Sequence, residues 1–108
     1  MSHAQQILSL LLEIEREMRS VNLWSETMPP AEALMSQQPF CVDTLEFHQW
    51  VQWLLLPRLE QIVVEQLPLP ETCSVAPMAE EAFRQVDAHT DQLVILLERL
   101  DERVTSAP

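Results

Sequence analysis

Three histidines, two cysteines and 17 acidic residues are the side chains of this sequence that could do chemistry. A zinc site needs two or more of them at close, repeated spacing, as in HExxH. His3, His48 and His89 are far apart, and none has a partner at such a spacing. Cys41 and Cys73 belong to no CxxC pair and read as small buried hydrophobes with reduced thiols. The chain has no Gly, so it lacks the turns that shape an oxyanion hole, a nucleophile elbow or a phosphate loop. The carboxylates fall along faces expected to meet water and single out no acid–base pair. The expectation is a protein without metal, cofactor or catalytic residue, and not an enzyme.

A second group of residues is set apart by its surroundings. In Trp50-Val51-Gln52-Trp53-Leu54-Leu55-Leu56 only Gln52 is polar. If that amide is buried it must be hydrogen-bonded, because an unsatisfied one costs roughly 1–3 kcal/mol. Arg58 follows Pro57 and could reach Asp43, a glutamate of another helix, or a partner. Trp and Arg are also frequent interface hot spots. Asp43, Trp50, Gln52, Trp53 and Arg58 are therefore the candidate residues for contact with a partner or ligand.

These residues lie on one central helix. At about 100° per residue the run from Trp50 to Leu56 points in nearly every direction, which predicts a helix buried all round. It is too short to span a bilayer, which takes about 20 apolar residues. Asp43 reads as its N-cap and Glu46 as the return residue of a capping box. Pro57 predicts a kink, and the stripe Leu59, Ile62, Val63 carries the helix on to about Gln66 before Leu67-Pro68-Leu69-Pro70 stops it.

The remaining elements pack around that helix. Ile7, Leu8, Leu11, Ile14, Met18 and Val21 give a first helix from His3 to Val21, with Ser2 as a possible cap. Between Asn22 and Val42 the prolines 29, 30 and 39 allow only a short turn of helix near Pro30–Met35. Trp24, Met28, Leu34, Met35 and Phe40 should hold this long loop on the core. A helix opened by Pro77 follows, its inner side Met78, Ala82, Phe83 and Val86. A last one runs from about His89-Thr90-Asp91, with Thr90 as cap, to Val104 on Leu93, Leu96, Leu97, Leu100 and Val104. The reading is an all-α single domain over residues 1–108: a four-helix bundle-like arrangement with a buried, Pro-kinked second helix and a long loop between helices 1 and 2.

Charge limits the partners. Against the 17 acidic residues stand 6 basic ones, all arginine, for a net charge of −11. Such a surface repels phosphate, so direct binding to nucleic acid is not expected. It suits a basic partner, and it also keeps a small protein soluble. The N-terminus shows no basic segment followed by an apolar one, which predicts a cytoplasmic protein.

One series of motifs carries a resemblance. Gln38-Pro39-Phe40, Asp43-Thr44, Trp50-Val51-Gln52-Trp53, Pro57-Arg58-Leu59, Leu67-Pro68 and Val75-Ala76-Pro77-Met78-Ala79-Glu80 resemble the YqcC family of small bacterial helical proteins. Met78 stands where that family usually has an aromatic residue. The resemblance implies a helical bundle and an association with tRNA pseudouridine synthase C, whose gene is often a neighbour. A further likeness misleads: Arg99-Leu100-Asp101 with Thr105-Ser106 resembles the RLDxxTSG motif of pseudouridine synthases, whose Asp is the nucleophile. Here the Thr comes one residue late and the Gly is missing. Two functions compete: an accessory protein of that synthase that acts in tRNA modification, and a helical bundle holding a small molecule between the long loop and Trp50, Gln52 and Trp53.

Overall fold

In the computed structural model, residues 3–38, 41–70, 73–84 and 89–105 are described. All regular structure among them is helical. The elements are α1 (His3–Ser20), α2 (Ala31–Leu34), α3 (Phe47–Trp50), α4 (Leu56–Val64), α5 (Ala76–Phe83) and α6 (Asp91–Thr105). A π-helical segment, Val51–Leu55, joins α3 to α4 without a break, so the three form one central helix.

The core differs from the expectation in where its centre lies. Ile7, Ile14 and Met18 of α1 and Leu93, Leu97, Leu100 and Val104 of α6 are closed to solvent, whereas the central helix contributes only Val51 to this deepest set. α1 packs against α6 and α4, while α5 packs against α6 and α3. The central helix is thus not innermost. Its Trp50, Trp53 and Leu54 remain partly exposed, and Pro57 and Arg58 face water. An apolar run marks a helix that needs covering, and the α1–α6 stripes cover each other more completely.

The start of the central helix also departs from the sequence reading. The N-cap is Glu46, with Gln49 as the reciprocal partner of the capping box. The Gln49 Oε1 accepts from the Glu46 N–H at 2.9 Å. Asp43 lies before the helix and accepts a short hydrogen bond from the Ser36 hydroxyl. Both Asp43 and Glu46 have a side-chain acceptor near a helix start, so spacing alone could not choose between them.

Ahead of Pro57 the helix widens. The Leu56 N–H donates to the Val51 carbonyl, an i→i−5 bond. Proline has no N–H for the Trp53 carbonyl and its ring crowds that oxygen. The wide turn absorbs the misfit, and π-turns of this kind are frequent at functional sites. With no Gly in the chain, the left-handed residues that end α1 and α4 are Asn22 (φ 62°) and Gln66 (φ 57°). Leu23 N–H then closes on Met18 O at 2.8 Å, and Leu67 N–H on Ile62 O at 2.9 Å, the Schellman pattern.

Other details correct the sequence reading. Met28 and Met35 are 60% and 76% exposed, and among the described residues of that region Leu23, Cys41 and Leu45 are buried. α5 buries Ala76, Ala79 and Phe83, with Met78 and Ala82 only partly covered. Phe83 meets Phe47 edge-on at 5.5 Å and ties α5 to α3. The roles read for Ser2, Phe40 and Val86 fall outside the described residues.

Candidate functional site

Two grooves flank the central helix, and they divide the candidate residues between them. The larger, about 730 Å³, runs between α1 and the π-segment and α4. Its α1 wall is Leu8, Leu11 and Leu12, and its opposite wall is Trp53, Leu56 and Pro57. Trp24 and Ser25 close one end. Among the described residues the charged lining is Glu15, Arg19, Glu26 and Glu60, three carboxylates against one guanidinium. That guanidinium is engaged already: Arg19 Nε is 3.0 Å from Glu15, and its Cζ stands 4.9 Å over the Trp24 ring.

Gln52 builds the wall of this groove. Its side chain is buried, at 4% exposure, and holds the main chain of Ser25 at both ends. The Ser25 N–H donates to Gln52 Oε1 at 2.8 Å, and Gln52 Nε2 donates to the Ser25 carbonyl at 2.6 Å. A primary amide has the donor and acceptor to pair with both groups of one peptide residue. The long loop is therefore pinned to the central helix at its one buried polar position. Beside it, Trp53 Nε1 is enclosed and has no acceptor among the described residues.

The second groove, about 480 Å³, lies between Trp50, Leu54, Arg58 and Ile62 on one side and Pro68, Leu69 and Pro70 on the other. Among the described residues no carboxylate lines it. Arg58 is exposed and makes no salt bridge among the described residues, Asp43 included. Asp43 lines neither groove. The five candidates thus fall into Gln52 and Trp53 on one face, Trp50 and Arg58 on the other, and Asp43 apart. Near the helix start, burial lowers the pKa of half-buried His48, and Glu46 opposes part of that shift.

Sequence reasoning set Asp101 aside as a chance match; the structure gives it a role. Its carboxylate accepts from the Val75 N–H at 2.9 and 2.8 Å and from the Ala76 N–H at 2.8 Å. These are the free donors at the start of α5, where Val75 has no capping side chain of its own and Pro77 has no N–H. The negative charge also suits the N-terminal end of the helix dipole. Cys73 Sγ donates to Asp101 Oδ1 at 3.1 Å, and Cys73 N–H donates to Thr105 Oγ1 at 3.0 Å. Asp101 and Thr105 together clasp the chain ahead of α5. Cys73 is only partly buried and is hydrogen-bonded, not simply a buried hydrophobe. Burial, the bond to Asp101 and the Asp101 charge push its thiol pKa up to about 12. Among the described residues no group of three or more His, Cys, Asp or Glu is placed to hold a metal ion, and no helix is long and apolar enough to cross a membrane.

The fold and these grooves define a small helical protein with apolar surface clefts. The chain belongs to the DUF446 family, whose description is tRNA pseudouridine synthase C and whose model matches residues 6–103. An uncharacterised protein of Haemophilus influenzae is 36% identical over 93 residues, covering 85% of this chain and 86% of that one. Uncharacterised protein YqcC of Escherichia coli K12 is 36% identical over 93 residues, covering 84% of each. The solution NMR structure of YqcC from E. coli is similar throughout, with a TM-score of 0.86 at 29% identity, covering all of this chain and 92% of that one. A protein of Pectobacterium carotovorum subsp. carotovorum named tRNA pseudouridine synthase C is 36% identical over 72 residues. That match takes in 67% of this chain but only 19% of the Pectobacterium protein.

Proposed function

We propose that this chain is a non-catalytic accessory protein of a tRNA pseudouridine synthase, an acidic helical module that docks on a basic enzyme. The observation that carries this reading is the Pectobacterium relative. There a segment similar to this chain occupies 19% of a polypeptide named tRNA pseudouridine synthase C, and most of that protein lies outside the match. A module joined to an enzyme works at high effective concentration, whereas a separate chain needs affinity of its own. An enzyme that handles tRNA gathers positive charge to meet phosphate, and a chain of net charge −11 is attracted to it. The carboxylate of Asp101 supports binding over chemistry, since three backbone hydrogen bonds and a thiol already occupy it.

The test is to mix the chain with the tRNA pseudouridine synthase C of the same organism and to weigh the species by light scattering after size exclusion. A complex at low salt that dissociates as salt rises is the expected result. Two separate peaks at all salt concentrations would overturn the reading. Arg58→Glu, on the second groove, tests whether that face takes part.

The larger groove favours a second reading, a bundle that binds a small molecule. Its volume of about 730 Å³ lies within the roughly 300–1,000 Å³ of ligand pockets. A metabolite that fits would raise the melting temperature by mass action. A thermal-shift screen with no responding compound would remove this alternative.

A further inference from the structure

We infer that the groove between α1 and the π-segment and α4 receives a short, basic, amphipathic helix from the protein partner. This rests on the accessory reading for the partner's basic character and adds where it docks and by what kind of segment. The shape comes first. From Leu8 to Arg19 the groove follows α1 through three turns, about 16 Å at 1.5 Å per residue. Leu12, on this wall, is 57% exposed, so the groove is open along α1. Small-molecule sites instead bury roughly 70–90% of the ligand. An elongated, open trough with leucine and tryptophan walls fits the apolar face of a helix of about ten residues.

Charge then selects the occupant. Of the three carboxylates in the lining, Glu15 is paired with Arg19, while Glu26 and Glu60 make no salt bridge among the described residues. A helix with leucine-like residues at i, i+3, i+4 and i+7 and arginines at its flanks would bury its stripe on Leu8, Leu12 and Trp53. Its arginines would then face Glu26 and Glu60. An acidic or uncharged helix would leave those carboxylates unpaired, and the net charge of −11 would slow its approach. The other groove, lined by Trp50 and Arg58 and by no carboxylate among the described residues, offers no such match.

The probe is a fluorescein-labelled 14-residue peptide of leucine and arginine in that spacing, with a leucine–glutamate peptide as its counterpart, followed by anisotropy. The arginine peptide should bind the wild-type chain and the glutamate peptide should not. Glu26→Gln/Glu60→Gln should weaken binding roughly tenfold or more, by the loss of two close charge pairs. Glu80→Gln/Glu98→Gln, which changes net charge equally on exposed positions outside the groove, should change it less than about twofold. Leu12→Glu is the sharpest variant. It adds negative charge, so attraction by charge alone would strengthen binding, whereas loss of the apolar wall weakens it.

Equal weakening by both glutamine pairs, or stronger binding by Leu12→Glu, would overturn the groove assignment; so would no binding of the arginine peptide. None of these outcomes touches the accessory reading, which stands or falls on the complex with the whole synthase. If that complex forms and survives Leu12→Glu unchanged, the enzyme docks elsewhere and the groove inference fails alone.

Discussion

The molecule is fastened by two polar anchors that look alike and do different work. At one end the Gln52 amide holds the Ser25 peptide; at the other the Asp101 carboxylate holds the N–H groups of Val75 and Ala76. Each lets a side chain of one helix fix main chain that has no partner of its own. The amide is neutral, buried, and part of a groove wall. The carboxylate is charged, partly exposed, and lines neither groove beside the central helix. The difference separates a position that shapes the wall of a groove from one that secures the start of α5. Asp101, the residue with the more enzyme-like sequence context, caps the start of α5 and holds Cys73.

Removing the anchors should show this difference. Asp101→Ala leaves the N–H groups of Val75 and Ala76 without a charged acceptor and strips α5 of its cap. The loss expected is about 2–3 kcal/mol, larger than an ordinary cap because the bonds are charge-assisted. Urea unfolding should show an earlier midpoint, while the arginine peptide, under native conditions, binds as before. Gln52→Ala should cost less, about 1–2 kcal/mol, because the Ser25 groups lie in a loop that can turn toward water. It should weaken the peptide, since the loop closing the groove is released. If Asp101→Ala impaired peptide binding in the folded protein and Gln52→Ala did not, the division of labour would be reversed.

Cys73 reports on the charged anchor from within. Its folded pKa is raised from 9.0 to about 12, so its contribution to stability is complete below pH 9 and is lost as pH rises through about 12. In a Cys41→Ser background, iodoacetamide at pH 8.5 should label Cys73 at least about tenfold more slowly than it labels the urea-unfolded chain. Asp101→Asn should speed that labelling, as the charge and the strongest acceptor for the thiol are gone. Rapid labelling of the folded wild type would mean that the Asp101 clasp opens in solution.

The smallest effect lies on the acid side. Burial depresses the pKa of His48 below 6.5, so the unfolded chain takes up this proton first and stability falls as pH drops through 6.5 and below. His48→Gln should flatten that part of the stability curve, seen in urea midpoints between pH 7 and 5. The neutral Gln52 anchor adds no slope there, so Gln52→Ala should leave its shape unchanged.

Much of the fold could be read from spacing, because period and burial are linked by geometry. The stripe Leu93, Leu96, Leu97, Leu100, Val104 is buried as it recurs, and Pro77 does open a helix. Contacts between elements distant in sequence could not be read. The need of Gln52 for partners was legible, but not that Ser25 supplies both, 27 residues away. Nothing near Val75 announced a cap 26 residues further on, and α5 read as a helix without one. Spacing puts the cap of the central helix three residues early, at Asp43, since Asp43 and Glu46 both satisfy the local pattern. The candidate set mixes two faces because Trp53, three positions after Trp50, lies inside a π-turn that no periodicity foretells.

The proposed role of this chain is binding, with Asp101 as a clasp. It is tested most directly by supplying the purified chain alone with tRNA tritiated at uridine C5. Conversion of uridine to pseudouridine replaces the C5–H bond with the glycosidic bond and frees the label. No release above buffer is expected from the chain alone at any protein concentration. Tritium release by the wild type, lost in a folded Asp101→Asn variant, would contradict the binding role and return Asp101 to the role its sequence suggests.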